Sequence, residues 1–158
     1  MVRRLRVRQV GALVVAVGAL SLAGCASPTP IEDFPGLPTV PVAAAEGADE
    51  GEEAEPELEE IEVPEGETSA VYLDYGDRLA VVTWGSSTCP VVGTDIVVLE
   101  DADSGNSVRV ETEPIPDDAV CTADFVPHTT IFGTPENLTT TQPLRVEING
   151  EEIVVPVK

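Results

Sequence analysis

Two neighbouring serines and one histidine are the residues whose types could carry out catalysis. Ser86 or Ser87 could act as a nucleophile and His128 as its base, with one of the many carboxylates orienting the histidine. The spacing does not support this chemistry, because the chain has no Gly-x-Ser-x-Gly elbow and its sole histidine follows Pro127 in a threonine-rich stretch. We therefore expect a protein that is not an enzyme, with a serine-type hydrolase as a remote alternative.

Two further sets of residues have side chains that bind metals or exchange electrons. Asp101 and Asp103 have the spacing of the first half of a calcium loop, but the twelfth position of that loop holds Thr112 where a bidentate glutamate is required. Cys89 and Cys121 lack the Cys-x-x-Cys spacing of redox centres and have no accompanying ligands. We interpret the aspartate-rich stretch as a hairpin turn, and we expect no cofactor and no metal.

The third cysteine, Cys25, follows a segment with the features of an export signal. Four arginines precede an apolar run from Val10 to Leu20. This run is too short to cross a bilayer, since a spanning helix needs about 20 apolar residues. Two small residues, Ala23 and Gly24, come directly before the cysteine and allow an extended backbone to fit a peptidase cleft.

Leu22-Ala23-Gly24-Cys25 resembles the lipobox of bacterial lipoproteins at all four positions. The resemblance implies a signal peptide over 1–24, cleavage between Gly24 and Cys25, and a diacylglycerol anchor on the Cys25 sulfur, with fatty acids such as palmitate. Two acyl chains give stable attachment where one is marginal. We therefore expect a lipid-anchored protein on the extracytoplasmic face of the cell membrane. The alternatives are an ordinary secretory signal with a chance cysteine and an uncleaved interfacial helix.

The charge of the mature chain narrows the classes of partner. Cleavage would remove four of the 8 basic residues and none of the 29 acidic ones, which leaves a net charge of −25. Nucleic acids and anionic lipids attract clustered lysine or arginine, so this charge argues against both as electrostatic partners. We expect the partner to be an envelope protein or a small ligand. We expect the protein itself to be a monomer.

The segment over 25–68, which carries the lipid anchor, has the composition of a linker. Its first part has prolines too frequent for a helix and no alternation typical of a strand. Its second part, residues 46–60, is a run of carboxylates without any basic residue. Low hydrophobicity combined with high charge predicts disorder. The linker would hold the folded part away from the membrane, and whether its acidic run binds cations is left open.

Residues 69–158 have the pattern of an all-β domain. Short segments rich in valine, isoleucine and threonine alternate with turn signals and predict two hairpins, a fifth strand and a final hairpin. The strands are predicted at residues 70–75, 78–84, 95–100, 107–112, 119–125, 144–148 and 151–155. Gly76-Asp77 is the turn predicted for the first hairpin. About seven short strands in ninety residues predict a small β-sandwich of immunoglobulin-like size.

Asn149-Gly150 gives the clearest turn signal, because these residue types adopt the positive φ angles of a two-residue type I′ turn. The turn sets the register of the last hairpin, with Val146 opposite Ile153 on the buried face. The same register places Glu147 opposite Glu152 on the solvent face, where their like charges repel weakly.

Cysteine counting predicts one disulfide. If Cys25 is lipidated, Cys89 and Cys121 are left as a pair in an oxidising compartment. Such a bond would close a loop of about 33 residues and stabilise the domain by about 3 to 4 kcal/mol. Trp84 precedes both cysteines, whereas immunoglobulin domains have a tryptophan between them, so their topology cannot be carried over.

The segments 83–90 and 121–130 around these cysteines are similar to a pattern in small, uncharacterised exported proteins and lipoproteins of high-GC Gram-positive bacteria. The similarity covers most of 70–157 and implies that the two segments lie side by side, joined by the disulfide. It implies no activity. Trp84 within the first segment either packs beside the disulfide or faces a ligand.

These observations together predict a membrane-anchored, non-enzymatic binding or interaction module at the cell envelope. The alternative from another class is a passive envelope component that acts through its anionic linker alone.

Overall fold

The computed structural model describes residues 29–41 and 58–157. The predicted signal peptide over 1–24, the lipidation site Cys25 and most of the acidic run lie outside the described residues. Apart from one 3-10 turn at Asp74–Gly76, the regular elements of the described residues are strands. They are β1 (Pro30–Pro35), β2 (Thr39–Pro41), β3 (Leu58–Glu60), β4 (Ser69–Leu73), β5 (Arg78–Gly85), β6 (Gly93–Glu100), β7 (Ser107–Thr112), β8 (Val126–Gly133), β9 (Leu144–Ile148) and β10 (Glu151–Val155). Over these two ranges, no helix has the length and hydropathy needed to cross a bilayer.

Two four-stranded sheets pack face to face, which confirms the predicted β-sandwich. The first sheet has the order β1-β8-β5-β4, and the second has the order β10-β9-β7-β6. Neighbouring strands are antiparallel except for β7 and β9, which pair in parallel. Apolar side chains from the inner faces of both sheets form one buried core. Its members are Ala70, Tyr72, Leu79, Val81, Ile96, Val108, Val110, Phe132, Leu144, Val146, Ile148 and Val155.

The last hairpin forms in the predicted register. Ile153 pairs with Val146, and Glu152 lies opposite Glu147. The turn residues Asn149 and Gly150 have φ angles of 50° and 83°, as a two-residue turn of this kind requires. Arg109 on the neighbouring β7 donates two hydrogen bonds to Glu147, at 3.1 and 3.2 Å, which offsets the repulsion between the two glutamates.

The other two predicted hairpins also form, β4 with β5 and β6 with β7. The first of them turns earlier than predicted: β4 ends at Leu73, which pairs with Arg78, so the loop is residues 74–77. Asp74 and Tyr75 both adopt positive φ there. The turn therefore relies on three successive left-handed residues ending in Gly76, and not on Gly76-Asp77 alone.

The predicted strand at 119–125 is wrong. The strand in this region, β8, begins at Val126, and residues 119–125 form an exposed irregular segment. β8 lies between β1 and β5, so its backbone hydrogen bonds are satisfied on both sides. The apolar side chains of this segment, including Val120 and Phe125, are exposed and do not enter the core.

The predicted disordered linker is wrong for those of its residues that the structure describes. β1 is an edge strand of the first sheet, paired with β8, and β2 pairs with β3 in a short ribbon. In the described part of the chain, the sandwich therefore starts at Pro30 and not at Ser69. Backbone pairing explains how so proline-rich a segment forms a strand, because Pro30 and Pro35 lie at the two ends of an edge strand, where a missing N–H is tolerated.

This early segment covers the outer face of the first sheet. A second apolar cluster of Leu73, Ala80 and Ile131 lies on that face. Phe34, Val40, Val71 and Ile61 pack against it. Five successive residues of β5, Leu79 to Thr83, are consequently buried on both faces of the sheet. An uninterrupted apolar run of this kind is the sequence signal of a strand that is covered on both sides.

Candidate functional site

The predicted disulfide joins Cys89 and Cys121, with their Cα atoms 5.5 Å apart. Cys89 lies between β5 and β6, and Cys121 lies between β7 and β8. The disulfide therefore ties two loops at one end of the sandwich. We call the second of them, residues 113–125, the long loop. All thirteen of its residues are exposed.

A cluster of hydroxyl groups fixes the long loop against the first one. The Ser86 and Thr122 hydroxyls lie 2.8 Å apart, and the Thr122 backbone N–H donates to the Thr88 hydroxyl at 3.0 Å. The Ser87 backbone N–H donates to Asp124 Oδ1 at 3.1 Å, and the Thr122 hydroxyl donates to the same oxygen. These bonds fix the long loop at Thr122 and Asp124, directly after the disulfide.

Asp124 is the acceptor at the centre of this cluster. Hydrogen bonds from the Ser87 side chain, the Thr122 hydroxyl and the Ser87 backbone stabilise its ionised form and lower its pKa from 3.8 to about 2. The carboxylate is therefore ionised at neutral pH.

Trp84 and Phe125 form an aromatic pair next to the cluster. Their ring centroids are 5.8 Å apart and the ring planes are inclined by 28°. Trp84 is half-buried, and its indole Nε1 is buried without a hydrogen-bond partner among the described residues. Phe125 is 60% exposed. Trp84 thus supports the Phe125 ring from beneath, and the aromatic surface that a ligand would meet first belongs to Phe125.

A groove of about 220 Å³ with both polar and apolar walls lies beside the disulfide. It is lined by Thr88, Cys89, Pro90, Glu113, Pro114, Ile115, Pro116 and Ala119. Ile115 is 44% exposed, and Val120, close by in the same loop, is 94% exposed. Thr88 lines the groove and also hydrogen bonds to Thr122, so the groove and the hydroxyl cluster form one continuous surface.

The charges at this end of the sandwich all have one sign. The long loop contains four carboxylates and no basic residue: Glu113, Asp117, Asp118 and Asp124. The described residues contain three arginines and no lysine, and each arginine is paired with a carboxylate outside the long loop. The pairs are Arg78 with Asp74 and Glu32, Arg109 with Glu147, and Arg145 with Glu100. No basic side chain of the described chain therefore neutralises the long loop.

The structure places the candidate hydrolase residues in two separate environments. The Ser86 and Ser87 hydroxyls share hydrogen bonds with Thr122. His128 is buried on β8, and its Nε2 atom lies 3.1 Å from Asp33 Oδ1 on β1. Among the described residues, neither serine hydrogen bonds to the histidine, so the relay of a serine hydrolase is not assembled.

The aspartate-rich stretch is a hairpin turn, as predicted. Asp101 Oδ1 accepts hydrogen bonds from the Asp103 N–H at 3.2 Å, the Ser104 N–H at 3.0 Å and the Ser104 hydroxyl at 2.6 Å. These bonds lower the pKa of Asp101, and the two from Ser104 have the largest effect. The described residues contain no group of three or more side chains arranged to hold a metal ion.

Sequence reasoning missed Val120 and Phe125 because a strand was predicted at 119–125, and it missed Ile115 because no role was assigned to residues 113–118. One signal could have found them: residues 113–118 contain two prolines and three carboxylates, which is typical of an exposed loop. Comparison of the chain with models of known families, with curated proteins and with solved structures finds no match.

Proposed function

We propose that this chain is an extracytoplasmic lipoprotein, anchored through Cys25, that works as a non-enzymatic binding module. Its binding surface is the long loop together with residues 86–90. The observation that carries the proposal is an exposed loop of thirteen residues that a disulfide and a hydroxyl cluster fix at Cys121, Thr122 and Asp124.

Loops of more than about 12 residues without regular structure are uncommon in compact domains, and they are usually either functional or disordered. The bonds from Ser86, Ser87 and Thr88 order this one. Binding to an ordered loop loses little conformational entropy, so a partner keeps more of the free energy of contact. An ordered, exposed loop with apolar side chains is thus well suited to a binding role.

The anchor is supported by Leu22-Ala23-Gly24-Cys25 and is tested separately. Cys25→Ala removes the sulfur that would carry the lipid. We expect the wild-type protein in the membrane fraction, with an intact mass that includes acyl chains. We expect the variant in the soluble fraction, with a mass that includes none. Equal masses and equal fractionation would overturn the lipoprotein assignment.

The binding role is tested by cross-linking in cells, followed by purification and mass spectrometry. Ile115→Ser/Val120→Ser removes two exposed apolar side chains from the long loop. Leu99→Ser/Val154→Ser removes two of similar character from the second sheet, 42% and 57% exposed. We expect a partner that is enriched with the wild type and the control pair and lost with the loop pair.

Replacing residues 46–57 by a Gly/Ser linker separates this proposal from a passive anionic role. The binding module retains its partner after the replacement. A partner that is lost with the acidic run, and retained by the loop pair of serine variants, would overturn the binding module in favour of the passive component.

A further inference from the structure

The chemistry of the long loop indicates which kind of partner it binds. Resting on the proposed function, we infer that the disulfide end binds a cationic polypeptide segment that carries an aliphatic side chain. The aliphatic group occupies the groove beside Ile115, and lysines or arginines around it face the carboxylates of the long loop.

The electrostatic part of this inference comes from the distribution of the arginines. Arg78, Arg109 and Arg145 are each engaged with a carboxylate elsewhere on the sandwich. The four carboxylates of the long loop have no such neighbour in sequence, and hydroxyl donors keep Asp124 ionised. A surface with charges of one sign attracts a partner of the opposite sign and speeds their encounter.

The apolar part comes from the groove. Its volume of about 220 Å³ is below the roughly 300 to 1,000 Å³ that is usual for sites that enclose a drug-sized molecule. The groove therefore suits one side chain of a polypeptide better than a whole small molecule. Three prolines, Ile115, Ala119 and the disulfide supply the apolar part of the lining, and Thr88 and Glu113 supply the polar part, so a side chain beside a cationic group finds both kinds of contact.

Charge also argues against the other occupants of an exposed apolar surface. A second copy of this chain would bring a second set of carboxylates against the first. Anionic lipid headgroups and nucleic acids would meet the same repulsion. A cationic segment is the occupant whose charge complements this surface.

The test is peptide binding to the full chain purified from membranes in detergent, measured by fluorescence anisotropy at physiological ionic strength. The labelled probe is Gly-Lys-Lys-Leu-Lys-Lys-Gly. One matched peptide has serine in place of leucine, and another has glutamate in place of every lysine. We expect the leucine probe to bind about tenfold more tightly than the serine peptide, since burial of one anchor side chain has an effect of this order. We expect no binding of the glutamate peptide.

Two pairs of substitutions with equal change of charge locate the site. Asp117→Asn/Asp118→Asn lies in the long loop, and Asp103→Asn/Glu136→Gln lies at the opposite end, where the Ala102 N–H donates to the Asn137 carbonyl. We expect the loop pair to weaken binding of the leucine probe about fivefold and the opposite pair less than about twofold. Trp84, the sole tryptophan, stacks on Phe125, so a shift of its emission shows that the probe lies at this end.

Three results would overturn the inference. Equal weakening by both charge pairs would mean diffuse attraction to the net charge of the chain. Equal affinity for the leucine and serine peptides would remove the aliphatic anchor. Self-association that is lost in Ile115→Ser/Val120→Ser would make a second copy the occupant.

The outcome in cells separates this inference from the proposed function. A cellular partner that depends on Ile115 and Val120, with no binding of the leucine probe, would refute the cationic segment and leave the binding module standing. If neither a loop-dependent partner nor probe binding is found, both are wrong.

Discussion

Gly76 and Gly150 share a positive φ, 104° and 83°, but differ in what surrounds them. A Cβ on Gly150 would meet nothing within 4 Å, whereas one on Gly76 would overlap the Thr140 Cγ2 methyl group. We expect Gly150→Ala to lower the free energy of unfolding by about 1 kcal/mol, which is the cost of the left-handed backbone. In Gly76→Ala the new Cβ also overlaps Thr140. We expect this variant to lose about 3 kcal/mol of the free energy of unfolding in total, as measured by urea denaturation.

Thr140→Ser removes the methyl group in question and serves as the control. We expect the double variant Gly76→Ala/Thr140→Ser to lose only about as much free energy of unfolding as Gly150→Ala. Equal losses for the two alanine variants would show that Thr140 does not constrain this turn.

Asp124 gives a prediction about pH. Its folded-state pKa of about 2 lies below the ordinary value of 3.8. A carboxyl with a depressed pKa contributes stability above its unfolded pKa, and that contribution is lost as the pH falls through the folded value. We expect the order of the long loop to decrease between about pH 4 and pH 2. An NMR titration of the Asp124 carboxyl should show a midpoint near 2, and a midpoint near 3.8 would contradict the hydroxyl cluster.

At the scale of single residues, the sequence predicts what depends on near neighbours. Asn149-Gly150 specified its own turn, and the count of cysteines predicted the disulfide. The contact of Trp84 with Phe125 could not be predicted, because it joins residues about 40 positions apart whose separation depends on the whole fold.

Among the elements, β1 and the β2–β3 ribbon differ most from expectation. A chain that starts at Ser69 lacks both and leaves Leu73, Ala80 and Ile131 uncovered. We expect it to be less stable to urea than a chain that starts at Thr29 by at least about 3 kcal/mol, from the apolar burial alone. Equal stability of the two chains would show that the early segment is not part of the sandwich.

The hairpins were predictable because each pairs segments that are close in sequence and joined by a recognisable turn. β1 pairs with β8, and its Asp33 contacts His128, 95 residues away. No turn joins these strands, and two prolines obscure the strand pattern of β1. The apolar run in β5 is a local sign that the first sheet has a second cover.

On the scale of the whole molecule, the disulfide links stability to the proposed surface. Cys89→Ser/Cys121→Ser opens a loop that spans 32 positions. We expect the free energy of unfolding to fall by about 3 to 4 kcal/mol in urea denaturation. Amide exchange should rise in both sheets in line with the lost free energy of unfolding and rise further in the long loop, and a long loop with unchanged exchange would contradict the role of the disulfide as a local staple.

The sandwich places the disulfide end and the three arginine ion pairs in different regions of one rigid fold. The fold class followed from short segments of strand-forming residues separated by turn signals. The proposed binding surface did not follow from the sequence, because it combines two loops that meet only when β5, β6, β7 and β8 are assembled into their sheets.

The most direct test of the binding surface is photo-cross-linking from single positions in living cells. A photoreactive amino acid replaces Val120 in one strain and Val154, 57% exposed on β10, in another. The account predicts a discrete cross-linked partner from position 120 and none from position 154. Cross-links of equal pattern from both positions, or from neither, would contradict the claim that the disulfide end is where this protein binds.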